Sequence, residues 1–299
     1  MRTGRRPKAR GFKSILCAVD FSPQSDAALR TAVQIARAHG SHLTALNVED
    51  PLISRSAAAA GYGADVLRKS TLAQLARLMA RTATAAGLGR PAWTVEALSG
   101  RPGPTIIAFA RRMSADLIVM GTNGRRGPAR LIFGSVADEA LRRTTVPLLI
   151  VARRTNRRAA QPGHARAVIG GIELGAHARF DARRIARAAR MMGGELTLVH
   201  VVYRAGDVPT VAYYQAQLTA ARKRLEEIAK RVKANSRVLL TRTEVGIAAA
   251  ASEAKAGLII LAVRPGRGIF GPRQGATTYR VLCSSTVPVL ALPPAWRAS

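Results

Sequence analysis

The chain has 299 residues, enough for one large domain or two of ordinary size, and its 48% hydrophobic share can fill substantial cores although aromatics make up only 4%. Its formal net charge is +30; by halves it is 22 − 9 = +13 over residues 1–151 and 25 − 8 = +17 over 152–299, so the excess is not confined to a tail. No apolar run reaches the ~18 residues of a membrane span, the basic stretch 1–13 lacks the apolar core of a secretory signal, and Cys17 and Cys283, each in an apolar segment, read as small buried hydrophobes of a cytoplasmic, reducing compartment.

In chain order, the apolar run 14–20 reads as a buried parallel strand closed by Asp20. Phe21-Ser22-Pro23 is a turn, with Ser22 placed to cap a helix and Pro23 at its first position. Apolar residues at 28, 29, 32, 33, 35 and 36 make 24–39 helical, and Gly40 stops the helix. A second strand covers 41–48, an irregular Ala- and Ser-rich stretch 49–63, and a long helix 64–86. A strand over 91–98, a helix over 103–113, a strand over 116–120, a helix over 134–143 and a fifth strand over 146–151 follow. This alternation predicts an α/β domain with a parallel sheet.

The fourth strand runs into Met120-Gly121-x2-Gly124-x9-Gly134-Ser135. Glycines let backbone amides approach an anion closely. Gly134 and Ser135 open a helix, where unpaired N–H groups and the dipole favour a phosphate. Arg125, Arg126 and Arg130 lie inside the loop and can neutralise phosphate charge. The bland alternative is a loop whose glycines serve turning and capping. Asp20, at the same sheet edge, can accept from an amine or ribose hydroxyl, or can cap the next helix. Asp138 and Glu139 suit the dipole of the helix they begin.

Residues 153–165 form a basic linker without apolar periodicity, and the pattern then repeats. Strands are expected over 167–174, 195–202, 236–243 and 257–263, helices over 178–192, 210–234 and 245–255. Thr286-Val287-Pro288-Val289-Leu290 echoes Thr145-Val146-Pro147-Leu148-Leu149. The chain is a tandem duplication, with domains expected at 12–152 and 166–294. In the second copy Glu173 replaces Asp20, and an offset of 141 puts Ala262, Pro265, Gly275 and Ala276 where the first copy has Gly121, Gly124, Gly134 and Ser135. Two of three glycines and the hydroxyl are gone. The five histidines form no metal-binding spacing, and His200, inside a strand, reads as structural.

Four features, in order, carry a resemblance over nearly the whole chain: Val19-Asp20 followed by Phe21-Ser22, the strand ending Asn47-Val48, the glycine loop to Gly134-Ser135, and the Val146-Pro147 strand. Together they resemble a tandem universal stress protein. The resemblance implies two doubly wound domains, each a five-stranded parallel sheet in the order 3-2-1-4-5 with helices on both faces. It implies ATP at the carboxyl ends of strands 1 and 4, where open α/β sheets place ligands. Asp20 would lie beside the adenosine, the Val48 backbone would meet adenine, Gly121 and Gly124 would bracket ribose and phosphates, and Gly134, Ser135 and Val136 would hold the phosphates. It further implies that fifth strands meet at an interface, which a tandem chain can satisfy internally, as a monomer or within a homodimer.

No nucleophile–base pair and no P-loop lysine accompanies the loop. The expectation is a stress-response or regulatory protein that binds ATP through domain 1, with domain 2 structural or regulatory. Mg²⁺ fits as a companion of ATP, though no ligand for it stands out. The alternatives are a slow ATPase and a basic nucleic-acid-associated scaffold. Charge at this level attracts polyanions, yet no base-stacking aromatic pattern, helix-turn-helix or zinc finger is present.

Overall fold

The computed structural model describes residues 11–51, 63–89, 92–122, 134–151, 167–203, 211–263 and 276–296. The first half runs β1 (Ser14–Ala18), α1 (Pro23–His39), β2 (His42–Glu49), α2 (Ala64–Ala86), β3 (Trp93–Ser99), α3 (Pro102–Arg112), β4 (Leu117–Gly121), α4 (Ser135–Arg143) and β5 (Leu148–Val151). The second runs β6 (Ala167–Gly171), α5 (Ala178–Met192), β7 (Glu195–Tyr203), α6 (Val211–Val232), β8 (Asn235–Thr241), α7 (Thr243–Glu253), β9 (Leu258–Ala262), α8 (Ala276–Ser284) and β10 (Val289–Leu292).

All ten strands form one sheet, in the order β3-β2-β1-β4-β5-β10-β9-β6-β7-β8. Each half is parallel and has the expected 3-2-1-4-5 order. The halves join where β5 and β10 pair antiparallel, with Leu149 opposite Leu290. Side chains alternate along a strand, so each strand feeds two cores. On one face Leu29, Leu75, Met79, Ile185, Leu225 and Ile228 bury α1, α2, α5 and α6. On the other, Ile106, Phe109, Ala140, Ile247 and Val281 bury α3, α4, α7 and α8.

The duplication is written in hydrogen bonds as well. The Ile118 amide donates to the Pro147 carbonyl at 2.9 Å, and the Ile259 amide to the Pro288 carbonyl at 3.0 Å. Thr144 Oγ1 donates to the Val146 carbonyl and Ser285 Oγ to the Val287 carbonyl, both at 2.7 Å. These hydroxyl turns, followed by prolines that have no N–H to give a ladder, delay the fifth strands to Leu148 and Val289; the first of these is two residues later than the sequence pattern predicts.

Two polar devices hold chain ends in place. Asp116, just before β4, accepts the Lys13 and Ser14 amides at 2.7 and 3.2 Å and so pins the entry to β1. Burial pushes its carboxyl above the usual aspartate range, against the pull of those amides. In the second half Arg184 and Asp181 of α5 are both buried and paired at 3.3 Å. Arg184 also donates to the carbonyls of Trp296 (3.2 Å) and Pro293, fastening the segment after β10 to the helix layer. Burial lowers the guanidinium pKa, opposed by the Asp181 charge.

Candidate functional site

The strand order reverses at β1, whose two neighbours are β2 and β4. Beyond its carboxyl end a crevice must open, because the chains leaving β1 and β4 go to opposite faces of the sheet. The exit from β1 is closely fixed. The Val19 amide donates to the Leu46 carbonyl at 2.8 Å, and buried Asn47 donates its Nδ2–H to the Val19 carbonyl at 2.8 Å. Asp20 Oδ1 then accepts the Ser22 amide at 3.0 Å, while Ser22 Oγ caps α1 by accepting from Ser25 at 3.2 Å. Asp20 thus braces the turn and Ser22 is the helix cap. Between them Phe21 adopts φ 62°, a left-handed conformation that costs a residue with a Cβ. Phe21 also lines a cavity of about 440 Å³ with Asp26, Gln74, Arg77, Leu78 and Arg81, between α1 and α2.

Val48 stands two residues past Leu46. In a parallel ladder alternate residues bond to opposite neighbours. Leu46 turns its carbonyl toward β1, so Val48 directs its own N–H and C=O to that side, where β1 has already turned away. Its other flank lies in register with Leu98 of β3.

Gly121 ends β4 against the first turn of α1. A Cβ there would stand 2.9 Å from the carbonyl carbon and from the Cβ of Gln24. The next residue, Thr122, donates to the Val151 carbonyl at 3.2 Å and accepts the Gly134 amide at 2.7 Å, so the two ends of the loop are tied together. Gly134, at φ −62° and ψ 143°, precedes α4 without a side-chain cap. Ser135 is exposed at the first helical position, and Val136 rests partly on the core. The first-turn amides of α4 therefore open at the same edge as Asp20 and Val48. Gly124, Arg125, Arg126 and Arg130 lie outside the described residues. Among the described residues no group of three or more His, Cys, Asp or Glu side chains gathers to hold a metal ion.

The corresponding edge of the second half is built from different residues. His200 takes the position of Asn47, its Nδ1 lying 3.0 Å from the Ile172 carbonyl. The carbonyl can only accept, so Nδ1 carries the proton, and this histidine is a brace. Glu173 is exposed where Asp20 is half-buried. Gly171 sits beneath Leu261 and Ile247, and Ala262 ends β9. The span 264–275, with Pro265 and Gly275, lies outside the described residues.

Sequence reasoning missed Asn47 as the brace of the β1 exit, Gln24 as the partner of Gly121, and Thr122 as the tie across the loop. Asn47 could have been found: an amide in an otherwise apolar buried strand needs a partner.

The chain matches the universal stress protein family over residues 11–152 and again over 170–293. A universal stress protein of Mycolicibacterium smegmatis is 27% identical over 296 residues, covering 94% of this chain and 97% of that protein. One from Methanocaldococcus jannaschii is 30% identical over 144 residues, 48% of this chain and 83% of its own length. Among solved structures, a protein of unknown function from Pseudomonas aeruginosa superposes with a TM-score of 0.69 at 17% identity, covering 96% of this chain and 94% of that one. A universal stress protein of Archaeoglobus fulgidus gives 0.64 at 20%, covering 94% and 96%. These structures share the fold of both halves, and with two successive family matches the chain belongs to the universal stress protein family, in tandem form.

Proposed function

We propose that the chain is a regulatory protein that binds ATP, or another adenine nucleotide, at the carboxyl edge of its first half. The observation that carries this reading is the pairing of two open backbone surfaces at one crevice: the β1-side edge of Val48 and the uncapped first turn of α4 at Gly134, Ser135 and Val136. The edge of Val48 offers a donor and an acceptor to the rim of an adenine. The α4 amides, aided by Ser135 Oγ, offer donors and a positive dipole end to phosphates. In this reading Asp20, at the same edge, accepts from ribose hydroxyls. Gly124, Arg125, Arg126 and Arg130 complete the phosphate side in this reading, and the second half, with Glu173, Ala262 and Ala276, binds no nucleotide. Mg²⁺ takes no assigned ligand here, and no catalytic step is assigned.

The test starts from protein purified without nucleotide, with any released small molecule identified. Calorimetric titration of ATP against wild type and Gly124→Val should give one site per chain and a loss of at least about tenfold in the variant. No affinity in wild type, or equal affinity in both proteins, overturns the reading. Two sites per chain refutes the silent second half.

A further inference from the structure

Among the described residues, the positive charge of the helices is not shared evenly between the two faces of the sheet. The helix layer of α1, α2, α5 and α6 carries 2, 4, 5 and 5 Lys+Arg, 16 in all, against 5 Asp+Glu. The opposite layer of α3, α4, α7 and α8 carries 2, 2, 0 and 1, 5 in all, against 4. On that second face every acid has a basic partner: Asp138 with Arg142, Glu139 with Arg143, Glu244 with Arg242 and Glu253 with Arg237. A general preference for arginine across the chain would load both layers alike. The helices of the second layer are close to balanced, and those of the first keep a large positive excess.

We infer that the α1/α2/α5/α6 face is a docking surface for the phosphate backbone of duplex nucleic acid, read without regard to sequence. Three features select this partner. First, with buried Arg184 set aside, 12 of the remaining 15 basic side chains are arginines, whose planar forks match phosphate oxygens bidentately. Second, the dimensions fit. The antiparallel β5–β10 join relates the halves by a two-fold axis normal to the sheet, which puts both pairs of basic helices on one side. Ten strands at about 4.8 Å spacing make that side about 43 Å across, measured along the twisted sheet, or about 13 base pairs at 3.4 Å each. A duplex has two-fold axes of its own across its length, so the two halves can meet its strands equivalently. Third, the exposed apolar side chains of this face, Val66, Phe180, Val211 and Tyr213, are scattered over three helices. An anionic membrane would favour a contiguous apolar patch beside the charge. Arg179, Arg183 and Arg190 of α5, Arg222 and Arg224 of α6, and Arg77 and Arg81 of α2 are all exposed on this face.

The surface does not involve the α4 terminus, so it stands or falls apart from the nucleotide site. The experiment is fluorescence anisotropy of a labelled duplex of about 24 base pairs against the full chain, from about 50 to 300 mM salt. Two charge-matched triple variants are compared: Arg179→Gln, Arg183→Gln, Arg190→Gln on the basic layer, and Arg111→Gln, Arg112→Gln, Arg280→Gln on the opposite layer. All six residues are exposed, and unchanged unfolding midpoints confirm that both variants fold. Wild type should bind with a steep salt dependence. The first triple should weaken binding at least about tenfold at 100 mM salt and shallow the log–log slope by about 2 to 3, at about 0.9 for each phosphate left without its cation. The second should change affinity less than about twofold. Equal losses in the two triples, or no wild-type binding at the lowest salt, overturns the inference. So does face-dependent binding to phosphatidylserine vesicles without face-dependent binding to the duplex.

Discussion

Gly121 and Gln24 are packed so closely that the end of β4 and the first turn of α1 have no room for a side chain between them, the nearest approach of an added Cβ being 2.9 Å. The glycine that sequence patterning assigns to ligand approach therefore has a packing reason of its own. Gly121→Val should lower stability by about 2 kcal/mol or more in the absence of any nucleotide, as overpacking does. Urea unfolding of nucleotide-free protein checks this. An unchanged midpoint would show that the strand end and helix can separate freely.

Ser135 separates binding from folding better than Gly121 does. It is exposed at the first position of α4, where a carboxylate is favoured by the helix dipole by about 0.3–1 kcal/mol. Ser135→Asp should leave the melting temperature unchanged or slightly raised. It should weaken ATP binding at least about tenfold through repulsion of the phosphates. Retained affinity in calorimetry would place the phosphates elsewhere.

Asn47 and His200 brace equivalent carbonyls in the two halves, those of Val19 and Ile172, with bonds of 2.8 and 3.0 Å. Asn47→Leu, which leaves a buried carbonyl without its donor, should cost about 1–3 kcal/mol. Asn47→His copies the solution of the second half and should retain more stability than the leucine variant. The comparison of the two denaturation midpoints decides it, and a leucine variant as stable as the histidine variant would show the brace to be dispensable.

The Arg184–Asp181 pair is buried on both sides, with side-chain exposures of 7% and 8%. Removing one partner leaves a charge in the core, so Asp181→Ala should destabilise the second half by about 3 kcal/mol. Replacing both with apolar residues should recover part of that loss, less the anchoring of the segment through Trp296 and Pro293. Denaturation of the two single variants and the double variant gives the coupling. Strict additivity would show that the pair acts as two independent residues.

Asp116 gives a pH signature of defined sign. Its carboxyl titrates above the ordinary aspartate value because it is buried. The folded state therefore holds the proton more tightly than the unfolded chain. The stabilisation is fully present below the unfolded value of about 3.9 and is lost as pH rises through the folded value. The stability of wild type relative to Asp116→Asn should fall as pH is raised from about 3.5 through the acid range. A relative stability that rises over that interval would mean that the Lys13 and Ser14 amides outweigh burial.

Much of this architecture was legible in the residues. Short apolar runs alternating with helical periods predict a parallel sheet, and the echo of Val146-Pro147 in Val287-Pro288 predicts the duplication. Ends of elements were less legible: β1 stops at Ala18, two residues before the apolar run closes, because Val19 and Asp20 already serve the turn. Buried arginine escaped notice because Arg183 and Arg184 are adjacent and chemically alike. Only the period places Arg184 with Ile185 and Ala188 on the inner side, while Arg183 faces solvent. The segregation of charge could not be read from chain order at all. The helices of the two layers come in consecutive pairs along the sequence, and only the topology collects α1, α2, α5 and α6 on one face.

The antiparallel seam between β5 and β10 has a consequence for how the two halves can diverge. When identical subunits assemble about such a seam, every change in one edge appears in the other. Here the linkage is covalent, the encounter of the fifth strands is independent of protein concentration, and each half has a guaranteed partner that is not its copy. Gly121 against Ala262, Asp20 against Glu173 and Ser135 against Ala276 are differences that a self-assembling subunit could not maintain. The chain behaves as a permanent heterodimer made by one gene, and its two carboxyl edges, which the seam points in opposite directions, can be tuned separately.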